Sequence, residues 1–203
     1  MKLRFLLLGL LLFVDVTPIR AQAPRHGVWL DAGLGYGSAS FHCDTCTRTQ
    51  PLGGWSISGG LGGTLSSHFR LGADLRVWLN GLKAGKPLPG ISTETLLLSY
   101  YPRMLGGPVM ELGGGLSHYE LCKGKGDPIE PCSNDTTYSS GTGWGYTLGA
   151  GWEIPIGRNG TLRPLLAYHN GAVRRLHSPD GTAVATRWKQ NLLTVELTLV
   201  AHE

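Results

Sequence analysis

Eight stretches of this chain alternate apolar residues with small or polar ones, with the period of two that is typical of a β-strand with two different faces. They cover approximately 26–38, 54–64, 69–79, 92–103, 108–119, 142–154, 161–172 and 188–201. A length of about eleven residues matches a tilted strand that crosses a membrane. The pattern therefore predicts eight strands of similar length.

The segments between these strands alternate between long and short. Four are long and rich in Gly, Pro, Ser, Thr and charge, namely 39–53, 80–91, 120–141 and 173–187. Three are short turns, namely 65–68, 104–107 and 155–160. Outer-membrane barrels sort their connections in this way, with the long loops at the extracellular rim. The sequence thus predicts an all-β protein, an eight-stranded antiparallel up-and-down transmembrane β-barrel.

Alternation alone does not tell which face of a strand points into the barrel. The composition favours apolar residues outside, because Gly accounts for 31 of 203 residues and a row of Gly with buried charges suits a narrow lumen. Lys is nearly absent from the predicted strands. We therefore predict a lipid-facing apolar row and a lumen-facing small or polar row. The alternative is a soluble ligand-binding barrel of the lipocalin type, in which these faces are reversed.

The N-terminal segment has the three parts of a secretory signal. A basic start is followed by an apolar run over 5–14 and then by small residues up to Ala21 and Ala23. The run is shorter than the roughly 20 residues that a membrane-spanning helix needs. We predict a signal peptide over 1–23, cleaved after Ala21 or Ala23, and a barrel domain over 24–203.

Charge and motifs exclude several function classes. Without the predicted signal peptide the chain has 15 basic and 13 acidic side chains, a net charge of +2, which is no footprint of nucleic-acid binding. No stretch matches a phosphate-cradling P-loop or a dinucleotide-binding motif. We expect no nucleic-acid partner and no cofactor.

Four stretches have a form known from other barrels: GVWLDAGLGYG, FRLGADLRVWLNG, TLLLSYYPR and GWGYTLGAGWEIPIG. On these, and over the whole mature chain, the protein resembles the small outer-membrane β-barrel superfamily, which includes the membrane domain of OmpA-like proteins. The resemblance implies a location in the bacterial outer membrane, with outer-membrane lipid and lipopolysaccharide as neighbours. We expect a monomer.

Nine charged or titratable residues share the inward parity of the predicted strands. They are Asp31, Arg70, Asp74, Arg76, Glu111, Glu153, Arg163, His169 and Glu196. In a narrow barrel each charge needs a partner, and the acids and bases are close to balanced. We interpret them as a paired network that plugs the lumen, since eight strands leave room only for their own side chains. The alternative is a narrow gated channel for small solutes or ions.

Tryptophans lie near the ends of the predicted strands, where amphipathic rings favour the headgroup level of a membrane. We predict an aromatic girdle of Trp29 and Trp152 at the periplasmic rim, and Trp55, Trp144 and Trp188 at the outer rim. The parity of Trp29 and Trp78 points inward, so an ordinary interior position stays open for these two.

The four cysteines, Cys43, Cys46, Cys122 and Cys132, all fall in predicted outer loops. An even count in an oxidising compartment favours disulfides. We prefer Cys43–Cys46 and Cys122–Cys132, with a cross-loop pairing as the alternative. A zinc site would need all four thiols reduced, which the compartment opposes, so we predict no metal.

We find no catalytic constellation, although some eight-stranded outer-membrane barrels modify lipids. Ser117 and His118 are neighbours on one strand and therefore point to opposite faces. Basic residues in the predicted loops are Lys83, Lys86, Lys123, Lys125, Arg174, Arg175 and Arg187, and we interpret them as solvated loop charge rather than as phosphate contacts. The predicted role is structural, or interactive through loops that meet an extracellular partner, and not enzymatic.

Overall fold

The computed structural model describes residues 27–44, 50–80, 87–104, 106–123, 137–157 and 159–202, so the predicted signal peptide lies outside the described residues. The strands are β1 (Val28–His42), β2 (Leu52–Ser66), β3 (Phe69–Leu79), β4 (Pro87–Tyr100), β5 (Gly107–Lys123), β6 (Thr137–Pro155), β7 (Gly160–His177) and β8 (Ala183–His202). Each strand pairs antiparallel with its neighbours in the chain, and β1 pairs with β8 to close the barrel. The predicted eight-stranded antiparallel barrel is confirmed. No helix in the described part of the chain is long and apolar enough to cross a membrane.

Two rims follow from this order. The outer rim, as named here, has the connections β1–β2, β3–β4, β5–β6 and β7–β8. The inner rim has the other three connections and the paired ends of β1 and β8, where Trp29 lies opposite His202.

Most strands run further toward the outer rim than the sequence pattern predicts. The bounds of β3 are as predicted, but β7 continues to His177 and β8 begins at Ala183. The connection between them is therefore only 178–182, and the prediction of a loop over 173–187 is wrong. Arg174 and Arg175 lie on β7 and Arg187 lies on β8.

The sequence pattern does not predict these additional strand residues, because toward the outer rim the polar and apolar faces of the strands exchange sides. Near the inner rim, β8 presents an apolar row outward and a polar row inward. The outward residues are Leu193, Val195, Leu197 and Leu199, and the inward residues are Thr194, Glu196 and Thr198. Toward the outer rim the same strand buries Trp188 and exposes Lys189. Apolar-out and apolar-in segments thus meet within one strand.

An exposed apolar belt surrounds the inner two thirds of the barrel. Its aliphatic members include Val28, Leu30, Leu34, Ile57, Leu61, Leu75, Leu96, Leu112, Leu148, Leu166, Val195, Leu197 and Leu199. Aromatic residues flank it: Tyr36 and Trp55 pack edge to face toward the outer rim, with ring centroids 5.6 Å apart, and Phe69 and Tyr100 pack 5.1 Å apart toward the inner rim. A belt of this kind is far larger than the apolar patches that water-soluble monomers expose.

Candidate functional site

The barrel interior contains the nine residues assigned from the sequence to a lumen network. All nine are at most 7% exposed: Asp31, Arg70, Asp74, Arg76, Glu111, Glu153, Arg163, His169 and Glu196. They come from six different strands, and alternation along each strand turns their side chains inward. They form three groups, each centred on one arginine.

Arg163 on β7 is the centre of the first group. Its Nη2 lies 2.6 Å from Asp31 Oδ2 on β1, and its Nη1 lies 2.8 Å from Glu111 Oε1 on β5. Neither β1 nor β5 is a neighbour of β7 in the sheet, so these ion pairs cross the lumen. The Ser99 hydroxyl also donates to Glu111, at 3.5 Å. One guanidinium thus joins three strands of the wall.

Arg76 on β3 is the centre of the second group. Its Nε lies 2.9 Å from Glu196 Oε1 on β8, and its Nη1 lies 3.5 Å from Asp74 Oδ1. Two hydroxyls on β2 complete the coordination of Glu196, since Ser56 donates to it at 2.9 Å and Ser58 at 3.2 Å. This carboxylate therefore has one ion-pair partner and two hydroxyl donors.

His169 extends the second group toward β6. Arg76 Nη1 donates to His169 Nε2 at 2.8 Å, which requires that nitrogen to offer its lone pair. The other ring nitrogen lies 2.8 Å from the hydroxyl of Thr147. His169 is accordingly a neutral acceptor here and adds no positive charge to the lumen.

Arg70 on β3 is the centre of the third group, near the inner rim. Its Nη1 lies 3.3 Å from Glu153 Oε1 on β6, and the guanidinium carbon lies 5.0 Å from the centroid of the Tyr101 ring. Its Nη2 lies 3.1 Å from His202 Nδ1. This group ties β3 to β6 and β8, on other sides of the barrel.

The charges in the lumen are paired but not balanced. Five carboxylates face three guanidinium groups among the buried residues, which corrects the expectation of a near balance. Arg76 and Arg163 each serve two carboxylates, and Asp74 has the longest of these ion-pair contacts. The interior therefore has an excess of negative charge.

A second layer, which the sequence analysis missed, closes the outer end of the lumen. We call it the apolar cap. It consists of Ala39, Phe41, Trp78, Ile91, Tyr119, Val173, Leu176, Trp188 and Leu192. Three rings form its centre: Phe41 lies 5.3 Å from Tyr119 and 5.4 Å from Trp188, and Tyr119 lies 4.5 Å from Trp188, measured between centroids. The signal was the inward parity of Trp78, Tyr119, Trp188 and Leu192 within the predicted strands; the other five residues lie beyond the predicted strand ends.

Two members of the predicted aromatic girdle lie inside the barrel, so their assignment to the girdle is wrong. Trp188 is 8% exposed and belongs to the apolar cap. Trp29 is 4% exposed and fills the lumen near the inner rim. It fits there because glycines face it: a Cβ added at Gly72 would lie 2.3 Å from Trp29 Cζ2, and one at Gly62 would lie 2.8 Å from the same atom.

The other three predicted girdle residues, Trp55, Trp144 and Trp152, point outward and are at least half exposed. Trp55 and Trp144 lie toward the outer rim, and Trp152 lies toward the inner rim. Trp78, whose parity points inward, is fully buried in the apolar cap.

Both cysteines that the structure describes, Cys43 and Cys122, are disulfide-bonded. Cys46 and Cys132 lie outside the described residues, so the pairing preferred from the sequence stays a prediction. Cys43 packs against the apolar cap. At least one loop disulfide is thus anchored on the buried layer that closes the outer rim.

Ser117 and His118 are on opposite sides of the wall, as strand alternation requires. The Ser117 hydroxyl accepts a hydrogen bond from Gln190 in the lumen at 2.8 Å, whereas His118 Nδ1 lies 2.7 Å from the Thr142 hydroxyl outside. The two side chains do not form a nucleophile–base pair.

Solved structures of other proteins share this architecture. The chain has the fold of the small outer-membrane β-barrels: it is similar to neisserial surface protein A with a TM-score of 0.55 and 13% identity, over 87% of this chain and 97% of that one. Two other matches are Ail, the attachment invasion locus protein of Yersinia pestis (TM-score 0.47, 10% identity, 86% and 99% covered), and OprG from Pseudomonas aeruginosa (0.46, 13%, 91% and 100%). The fold assignment rests on the first. No family model and no curated protein sequence matches this chain.

Proposed function

We propose that this protein is a bacterial outer-membrane barrel with a sealed lumen, which acts through its wall and its outer surface rather than by conduction or catalysis. The observation that carries the proposal is the filling of the interior at two levels. The charge network occupies the inner and middle lumen, and the apolar cap occupies the outer end. The role is structural or interactive.

The exposed belt supports a location in a bilayer. Leucine, isoleucine and valine side chains that are half exposed or more would be costly in water, at about 25 cal/mol for each Å² of apolar surface. In a bilayer the same surface contacts acyl chains. The outward Trp and Tyr residues at the ends of the belt suit the two headgroup levels.

The sealing follows from the two layers together. Ions do not cross a layer of packed aromatic and aliphatic side chains, and charges that are held by ion pairs across the lumen cannot rotate aside one at a time without leaving a partner unpaired. The interior of an eight-stranded barrel is only wide enough for its own side chains.

Conductance in planar bilayers tests the proposal. Refolded protein is inserted in 1 M KCl, and insertion is verified by its mobility in unboiled and boiled gel samples. We expect no current steps from the wild type. We also expect none from Phe41→Ala/Trp188→Ala, in which the charge network remains. Steady open-state steps from the wild type would refute the sealed lumen.

A narrow cation channel is the second candidate, and the excess of carboxylates over guanidinium groups favours it over an anion channel. It predicts wild-type current steps that are cation-selective and are reduced by Asp74→Asn. Membrane location is tested separately. Carbonate-resistant association with membranes and a heat-dependent gel shift are expected, whereas recovery in the soluble periplasmic fraction would support a carrier of apolar ligands instead.

A further inference from the structure

The outer ends of β7 and β8 display a strip of positive charge on the outside of the barrel. The basic strip consists of Arg174, Arg187 and Lys189, all of them exposed. Arg175 is also exposed at the rim, but it shares the parity of the buried Val173 and is not part of the strip. No acidic residue occurs in 170–179 or 183–192. Asp180 lies in the turn between the strands, where hydrogen bonds from the Ser178 hydroxyl and the Thr182 N–H hold its pKa below the ordinary value.

The strip is unfavourable for the isolated protein. Arg174 and Arg187 both lie between the flanking pairs Val173–Trp188 and Arg175–Thr186, so two like charges are close together on neighbouring strands, which destabilises a sheet. Arg187 also has a φ of 51°, in the left-handed region that is costly for a residue with a Cβ. Two costs at one point of the wall indicate a function there rather than stability.

Asp44, which contacts Arg187, does not neutralise the strip. Asp44 Oδ2 lies 3.6 Å from Arg187 Nε, but the two side chains are 48% and 82% exposed. Exposed pairs of this kind contribute little, about 0 to 1 kcal/mol, because water screens them.

The height of the strip matches the headgroup layer of a membrane. Along β7 and β8 toward the outer rim, the apolar pair Leu166–Val195 is followed by Tyr168–Leu193 and then by Asn170–Asn191. Tyr168 and Asn170 both donate to Asn191 Oδ1, at 2.9 and 2.6 Å, so the wall is polar from this level. Lys189 and Arg187 lie two and four residues above it, roughly 5 and 10 Å higher for a tilted strand that rises about 3.4 Å per residue.

The strip is also grooved. Arg174 and Arg175 form the shared wall of two surface depressions, one of about 500 Å³ toward Arg187 and Lys189, and one of about 480 Å³ toward Gly141 and His177. Guanidinium groups offer several N–H donors in a planar fork that suits phosphate oxygens.

We infer that the basic strip binds the phosphate groups of a phosphorylated lipid in the outer leaflet, alongside the barrel wall. This inference rests on the proposed membrane location and names a partner for the outer surface. A lipid is favoured over a soluble polyanion because the strip faces sideways, directly above the apolar belt, where acyl chains of the same molecule have a surface to cover.

The test compares lipid A with enzymatically dephosphorylated lipid A as probes, added to refolded full-length protein in neutral detergent, with bound lipid counted by native mass spectrometry. We expect the phosphorylated form to bind preferentially. Arg174→Gln/Arg187→Gln should weaken it roughly 25-fold, because each basic residue beside an anionic lipid contributes roughly fivefold. Lys83→Gln/Lys86→Gln, which removes equal charge from the β3–β4 connection, should leave binding within about twofold.

Three results would overturn the inference: equal binding of the two lipid forms, equal effects of the two double variants, or displacement of lipid A by inorganic phosphate at equimolar concentration, which would indicate a site for soluble anions. Each leaves the sealed lumen intact, because conductance and membrane extraction are measured on the same preparations. Recovery of the wild type as a soluble protein would instead defeat the proposed function.

Discussion

Arg163 and Asp31 join β7 to β1 across the interior, with 2.6 Å between Nη2 and Oδ2 and both side chains at most 5% exposed. Because the same guanidinium also holds Glu111, its removal leaves two carboxylates without their cation. Desolvated carboxylates depend on such a partner, so the loss of this guanidinium is expected to destabilise the barrel.

Replacing Arg163 by Met is therefore expected to be severe. The loss should be about 3–5 kcal/mol in the free energy of unfolding, the usual effect of removing one partner of a buried ion pair. Urea unfolding in lipid vesicles, followed by circular dichroism, measures it. Arg187→Met is the control, with an expected change within about 1 kcal/mol because Arg187 is exposed.

A triple variant distinguishes the loss of ion pairing from the loss of side-chain packing in the Arg163→Met experiment. Adding Asp31→Asn and Glu111→Gln to the Arg163→Met variant removes both orphaned charges and should recover part of the lost stability. If the triple variant is no more stable than Arg163→Met alone, the ion pairs are not what stabilises this part of the lumen.

The two carboxylates that contact Arg76 are predicted to differ in their contribution to the free energy of unfolding. Asp74 is 3.5 Å from Arg76, whereas Glu196 is 2.9 Å away and also accepts from Ser56 and Ser58. Since the interior has more carboxylates than guanidinium groups, Asp74→Asn should change the unfolding free energy little or raise it. Glu196→Gln should lower it by about 1–3 kcal/mol, because the ion pair with Arg76 is lost and the hydrogen bonds from two buried hydroxyls are weakened. The reverse order in urea unfolding would show that the charge excess is not a source of strain.

Strand glycines are expected to be irreplaceable only where another group occupies the position of a side chain, as at Gly72 in the lumen but not at the outward-facing Gly63. A Cβ on Gly72 would meet both Trp29 Cζ2 at 2.3 Å and the Leu61 carbonyl oxygen at 2.4 Å, so Gly72→Ala should cost about 1–3 kcal/mol. Nothing lies within 4 Å of a Cβ at Gly63. Gly63→Ala should be neutral or stabilising, by up to about 1 kcal/mol. Equal effects of the two substitutions on the unfolding midpoint would contradict the packing of Trp29 against Gly72.

The apolar cap should contribute as much as a hydrophobic core. Trp188→Ala removes a ring that packs on Phe41 and Tyr119, and we expect a loss of about 3–5 kcal/mol. Trp144→Ala is the matched control, because Trp144 is 73% exposed on the outside. Its loss in the same urea unfolding assay should be clearly smaller, and the opposite order would show that the outer end of the barrel is not packed.

The architecture was predictable because alternation survives wherever the outward face is apolar and the inward face lines a narrow polar lumen. The strand Phe69–Leu79 lies in that region up to Trp78, which belongs to the apolar cap, and its bounds are as predicted. The nine inward titratable residues followed from parity alone, because a shift of one residue would place them all in lipid.

The outer third of the barrel was not predictable by the same rule. There the outward face is polar and the inward face is apolar, so the strand ends at His177 and Ala183 were assigned to a loop. Trp29 and Trp188 were misplaced for a related reason: proximity to a strand end favours a headgroup position for Trp, whereas the actual position depends on which neighbours leave space. For Trp29 these neighbours are the glycines of β2 and β3, which follow it in the chain.

The sealed lumen is the central claim, and thiol accessibility tests it most directly. Thr194→Cys and Thr198→Cys place single thiols at inward positions that are at most 2% exposed, with Val184→Cys as the exposed control on the same strand. The oxidised protein in vesicles is treated with a charged, water-soluble methanethiosulfonate. We expect rapid labelling at position 184 and none at 194 or 198 until the protein is unfolded in urea. Labelling of both inward thiols at a rate close to that of the control would mean a water-filled pore and would contradict the account.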